Sequence, residues 1–147
     1  MKCMEDIESE VRDMLNKYAQ AYADKNIDAM MDLFLDDPDT VAIGTGTDEW
    51  AHGCDKIREG FKHDLDQADN IQVKFEKVTI QSANNVSWLS ALMTMYALIS
   101  NKEVLISGRL SMVLERIENK WLFTQMHFSL PADEQEEGYS FPEWIIS

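Results

Sequence analysis

The chain is poor in the residues that break or cross-link a fold. It has two cysteines, Cys3 and Cys54, and one lies close to the N-terminus, so no disulfide framework is expected. Three prolines and six glycines leave room for long uninterrupted helices and strands. Basic residues are scarce too: 13 against 27 acidic ones give a formal charge of −14. That balance opposes any polyphosphate, which excludes nucleic acid and anionic membrane surfaces as partners. The acids are spread along the whole chain and act mainly for solubility. There is no run of ~18 apolar residues, hence no membrane span. Met1 to Asp6 turns acidic without an apolar region, so no secretory signal is expected and a cytoplasmic location is. The three histidines have no paired ligand spacing, and neither an H-E-x-x-H run nor a cysteine pair is present, so no metal is expected. Gly44-Thr45-Gly46 lacks the lysine of a phosphate loop, and no G-x-S-x-G occurs. No cofactor is implied.

What the chain does have is clear periodicity. Ile7, Val11, Met14, Leu15, Tyr18, Ala21 and Tyr22 recur at helical spacing and predict a helix from about residue 5 to 25. Asn26 can cap a second helix carrying Ile27, Met30, Met31 and Phe34, which Asp36-Asp37-Pro38-Asp39 ends. Thr40 to Ile43 predicts a short strand, Gly44 to Asp48 a loop, and Glu49 to His52 a second short strand. Ile57, Phe61 and Leu65 mark a third helix. From Asn70 the period changes to two. Ile71, Val73 and Phe75 alternate with polar residues, then Val78 and Ile80 continue on the opposite parity. That slip predicts a β-bulge near Glu76-Lys77. Val86 to Ile99, Val104 to Leu114 and Trp121 to Ser129 are further strands, separated by turns at Ser100-Asn101-Lys102 and Glu118-Asn119-Lys120. Helices first and a strand meander afterwards argue an α+β domain over residues 1–130. The tail, 131–147, begins acidic and ends apolar in Tyr139, Phe141, Trp144, Ile145 and Ile146. An apolar chain end is more than solubility requires, so it is expected to dock, on its own sheet or on a partner subunit.

The segment Gly44-Thr45-Gly46-Thr47-Asp48-Glu49-Trp50-Ala51-His52-Gly53 and the hairpin from Leu114 to Ser129 resemble the SnoaL-like branch of the NTF2-like superfamily. The hairpin is similar to an R-x-x-G-K-W…H-x-H-x-S ending, found also in the association domain of calmodulin-dependent kinase II. Asn119 replaces the turn glycine, and Gln125 stands at the first histidine, leaving His127 alone. The resemblance implies an NTF2-like cone, with N-terminal helices packed on a curved antiparallel sheet around a pocket. It also implies homodimerisation through the sheet's other face. It does not imply a reaction, because this fold carries many.

The site expected from the residues is a mostly apolar pocket for a small molecule, lined by Glu49, Trp50, Trp88, Tyr96, Met112, Gln125 and His127. His127 is the candidate general acid or base, since a histidine titrates near neutrality. Each residue has a plainer reading. His127 can be held in a wall or interface, Trp50 can pack on the third helix, and Trp88, Tyr96 and the methionines can be core. Arg109, a cation among apolar strand residues, can hold a carboxylate ligand or pair across a dimer. Three functions follow: a ligand-binding homodimer, a proton-transfer enzyme of isomerase or cyclase type, or an oligomerisation module without ligand. The acid and tyrosine pair of ketosteroid isomerases cannot be placed on this sequence.

Overall fold

The computed structural model describes residues 3–146, with side chains through residue 145. Met1, Lys2 and Ser147, and the side chain of Ile146 expected in the apolar tail, lie outside the described residues.

The order is α1 (Met4–Ala23), α2 (Ile27–Met31), β1 (Val41–Ile43), β2 (Trp50–His52), α3 (Cys54–Gln67), β3 (Asn70–Ala83), β4 (Val86–Ile99), β5 (Lys102–Ile117), β6 (Lys120–Ser129) and α4 (Glu143–Ile146). The apolar stripe of α1 is buried as the spacing predicts, from Val11 to Tyr22. Asn26 caps α2 by accepting from the backbone N–H of Ala29. This helix is shorter than its stripe suggests. After Met31 the chain pairs with β6 instead: Phe123 N–H donates to Leu33 O, and Leu35 N–H to Phe123 O. The strand ladder satisfies backbone groups that another helical turn would otherwise have held, and Phe34 is buried against Phe123.

The sheet has the order β2-β1-β6-β5-β4-β3. It corrects one expectation: the sheet is mixed, because β1 runs parallel to β6. The helices and β1 come first in sequence but close against the last strand. The crossover thus covers the whole meander, whose hairpins are all antiparallel. The bulge predicted at Glu76-Lys77 is present. The β3–β4 register shifts between Glu76 and Thr79, and Lys77 takes a positive φ of 53°. A second shift lies in β5–β6 after Val113. Long strands twist, and these bulges bend them further, so the sheet curls over the helices.

Directly paired residues share a face, so the registers sort the side chains. Leu89, Ala91 and Met93 on β4, Leu110, Met112 and Leu114 on β5, and Trp121, Phe123 and Met126 on β6 face inward and are buried. Tyr18, Tyr22, Phe34, Phe61 and Phe123 fill the space between sheet and helices, with ring centroids 5.1–6.3 Å apart. Gly108 is buried in the same layer. A Cβ there would collide with the carbonyl oxygen of Ser129 and the ring of Phe128.

Candidate functional site

The residues expected to line one pocket divide between two sides of the sheet. The row Ser90–Ser111–His127–Ile43–Trp50 crosses the sheet on its outer face. Trp88–Val113–Gln125–Val41–His52 lies beside it, and Tyr96 pairs with Leu105 further along. Trp50, Trp88, Tyr96, Gln125 and His127 therefore share one face, but it is the surface away from the helices. Met112 points the other way, into the core. This corrects the expectation of a His127 pocket: two-residue periodicity puts Met126 inside, against Tyr18, and its neighbour His127 outside. Arg109 is also on the outer face. Its Nε donates to Ser129 Oγ at 3.3 Å and its Nη2 to Leu130 O at 3.2 Å.

Glu49 belongs to a different group. The turn between β1 and β2 is closed by Gly44 N–H donating to Glu49 O and Glu49 N–H to Gly46 O. The Glu49 side chain folds back over Gly44 and Gly46, where a β-carbon would strike its carboxylate. From there it acts electrostatically on Asp64 of α3 and Tyr22 of α1. Tyr18 and Tyr22 are buried one helical turn apart, with hydroxyls 3.4 Å from each other, and the Tyr18 hydroxyl also donates to Met126 Sδ at 3.5 Å. Burial raises both phenols above their ordinary range, with the charge of Asp64 adding to each. They are hydroxyl groups at neutral pH. Asp64 as a residue still meets solvent, yet its surroundings desolvate the carboxyl. With Glu49 adding repulsion and His63 opposing, it is pushed up to about 6. The charges of Glu49 and Asp64 thus act on the buried phenols across α1, α3 and the β1–β2 turn.

Asp64 has a signal in the sequence. It lies seven residues after Ile57 and three after Phe61, on the flank of the buried stripe of α3. A carboxylate on that flank is desolvated by the fold. Its raised value has a consequence for stability. Between 3.8 and about 6 the folded state holds a proton that the unfolded chain has released, so this carboxyl destabilises the fold increasingly as pH rises through that window. Asp64→Asn is expected to flatten that part of the stability profile and to gain most above pH 6 relative to the parent. Urea midpoints measured from pH 4 to 8 check this. A constant difference across the range would show that Asp64 titrates normally.

A separate open cleft of about 450 Å³ lies at the β5–β6 turn, lined by Glu10, Asp13, Met14, Lys17, Asp32, Leu33, Asn119, Lys120 and Trp121. The indole N–H of Trp121 donates to Glu10 Oε2 at 2.8 Å on its wall. No group of three or more histidine, cysteine or carboxylate side chains among the described residues is placed to hold a metal ion.

The model of the SnoaL-like domain matches residues 11–133. The chain belongs to the SnoaL-like family. No curated protein matches it. Among solved structures, this SnoaL-like chain is similar to an NTF2-like superfamily protein from Salmonella enterica serovar Typhimurium (TM-score 0.82, 19% identity, covering 93% of this chain and 100% of that one). It is also similar to a candidate calcium/calmodulin-dependent protein kinase II association domain from Xanthomonas campestris (TM-score 0.75, 21% identity, 84% and 87% covered). A third is a candidate dehydratase of the NTF2-like family from Streptomyces avermitilis (TM-score 0.80, 12% identity, 88% and 99% covered). At these identities the likeness establishes the NTF2-like fold. No helix among the described residues is long and apolar enough to cross a membrane.

Proposed function

We propose that this SnoaL-like chain is a homodimeric small-molecule-binding protein, paired through the outer face of its sheet. The observation that carries the dimer is the composition of that face. Trp50, Trp88, Tyr96 and Leu105 are 68%, 41%, 41% and 62% exposed there. Its charged groups include Lys74 and Arg109, with the acids Glu76, Glu103 and Glu115. In a chain of charge −14, a face that exposes four large apolar side chains is suited to contact. Its size fits: four strands of about 14 residues cover roughly 900 Å², close to the ~800 Å² that each partner gives to a stable interface.

Sedimentation equilibrium tests it. The chain is expected to be dimeric at micromolar concentration, and Leu105→Asp to weaken the dimer at least ~100-fold by burying an unpaired charge. A chain that stays monomeric at ten times that concentration would overturn the reading.

The small molecule belongs, in this reading, where Glu49, Asp64 and Tyr22 meet, since the aromatic rings fill the deeper interior. A carboxyl near 6 that acts electrostatically on buried tyrosine hydroxyls also suits proton transfer on an apolar carbonyl compound, with Asp64 in the acid–base role first expected of His127. The similarity to a candidate dehydratase agrees with that second reading. Carbonyl compounds screened by NMR should shift resonances of Tyr22 and Asp64. Shifts confined to the outer face or to the cleft beside Trp121 would place the ligand elsewhere.

A further inference from the structure

We infer that in the homodimer the C-terminal segment of each copy crosses to the other copy and packs Tyr139 and Phe141 on its sheet. This rests on the dimer reading above and adds a second element to that interface.

The segment starts at the outer face. β6 stops at Ser129, opposite Arg109, and the Arg109 guanidinium ties down both Ser129 Oγ and Leu130 O. Everything after Leu130 is thus launched from the surface proposed as the interface. Beyond that point, the stretch of β5 from Lys102 to Gly108 pairs with β4 alone among the named strands and carries the exposed Leu105.

The distal part is preformed. Glu143 N–H donates to Glu134 O at 3.0 Å, Tyr139 N–H to Glu136 O at 3.2 Å, and Gln135 Nε2 to Tyr139 O at 2.8 Å. These bonds fold residues 134–143 into a knob around a hollow of about 160 Å³ lined by Glu136, Tyr139, Phe141 and Glu143. Its aromatic side chains are left largely uncovered: Tyr139 is 64% and Phe141 60% exposed. A knob held in one shape by its own hydrogen bonds loses little entropy on docking. Solubility does not call for outward aromatics on such a knob.

Reach fits the second copy. Face-to-face sheets stack ~10 Å apart, and the four steps along the chain from Leu130 to Glu134 span roughly 13 Å when extended. The linker therefore crosses one sheet-to-sheet gap. Its acids, Asp133, Glu134, Glu136 and Glu137, would otherwise repel a partner of charge −14. They are best placed against the partner's Lys74 and the partner's Arg109, on the face that offers Tyr96 and Leu105 and also carries Glu76 and Glu103.

The test compares the full chain, a Tyr139→Ser/Phe141→Ser variant and a chain ending at Leu130. Sedimentation equilibrium should show the dimer weakened about 10-fold or more in both altered forms. The circular dichroism should keep its sheet signal, because Tyr139 and Phe141 are outside the core. In dimers mixed from labelled and unlabelled copies, isotope-filtered NOEs should run from Tyr139 and Phe141 to Tyr96 or Leu105 of the other copy. An unchanged dissociation constant in a protein that Leu105→Asp does dissociate overturns the crossing and leaves the dimer standing. NOEs found within one copy alone do the same. A monomeric full chain overturns the dimer and the crossing together.

Discussion

Phe123→Ala is expected to cost about 3–5 kcal/mol, among the largest losses a single truncation in this protein should produce. Phe123 has no exposed surface and stands edge-on to Tyr18 and Phe34 at 5.9 and 5.4 Å. Its backbone also holds Leu33 and Leu35. Those bonds survive the truncation, so the collapse that would refill the void is resisted from both sides. Against a total stability of about 5–15 kcal/mol for a domain, the loss takes about a fifth or more. Urea unfolding with an unchanged slope is the measurement. A loss below ~1 kcal/mol would mean that the interior has slack. It would reopen the idea of a deep ligand cavity in place of the site near Asp64.

Gly108→Ala is the second large effect, at about 1–3 kcal/mol for a single added methyl. The collision is with the Ser129 carbonyl, which is backbone, and with the Phe128 ring. Because Arg109 ties the same Ser129, the strain is expected to reach the start of the C-terminal segment as well. Phe128→Leu in the Gly108→Ala background should recover part of the loss, which a double-mutant cycle reads as coupling. A neutral Gly108→Ala would show that β6 can slide away from β5 at no cost.

The elements were legible where local chemistry dominates. Asn26 as a cap, the parity slip at Glu76-Lys77 and the turns at Ser100-Asn101 and Glu118-Asn119 all act over a few residues. The structure places each as expected, the turn residues with positive φ. The early end of α2 was not legible, because Leu33 and Leu35 answer to Phe123, some ninety residues later in the chain. Nor was the parallel β1–β6 pairing, for the same reason.

The candidate site shows the same division. Period-two alternation states that His127 and Met126 face opposite ways, and that Trp88, Tyr96 and Arg109 lie off the buried parity. It does not state which face is covered by helices. Only packing decides that, through Tyr18 against Met126 and the aromatic layer above the sheet. Asp64 is ordinary in the sequence, one acid among 27. It becomes unusual when α3 carries it toward Glu49 and Tyr22, which the β1–β2 turn and α1 bring from elsewhere. By itself the sequence determined the helices, the strands, their bulges and the acidic, disulfide-free character of the chain. The tertiary structure decided which sheet face is inside and which carboxyl is desolvated, because burial belongs to neighbours distant in sequence.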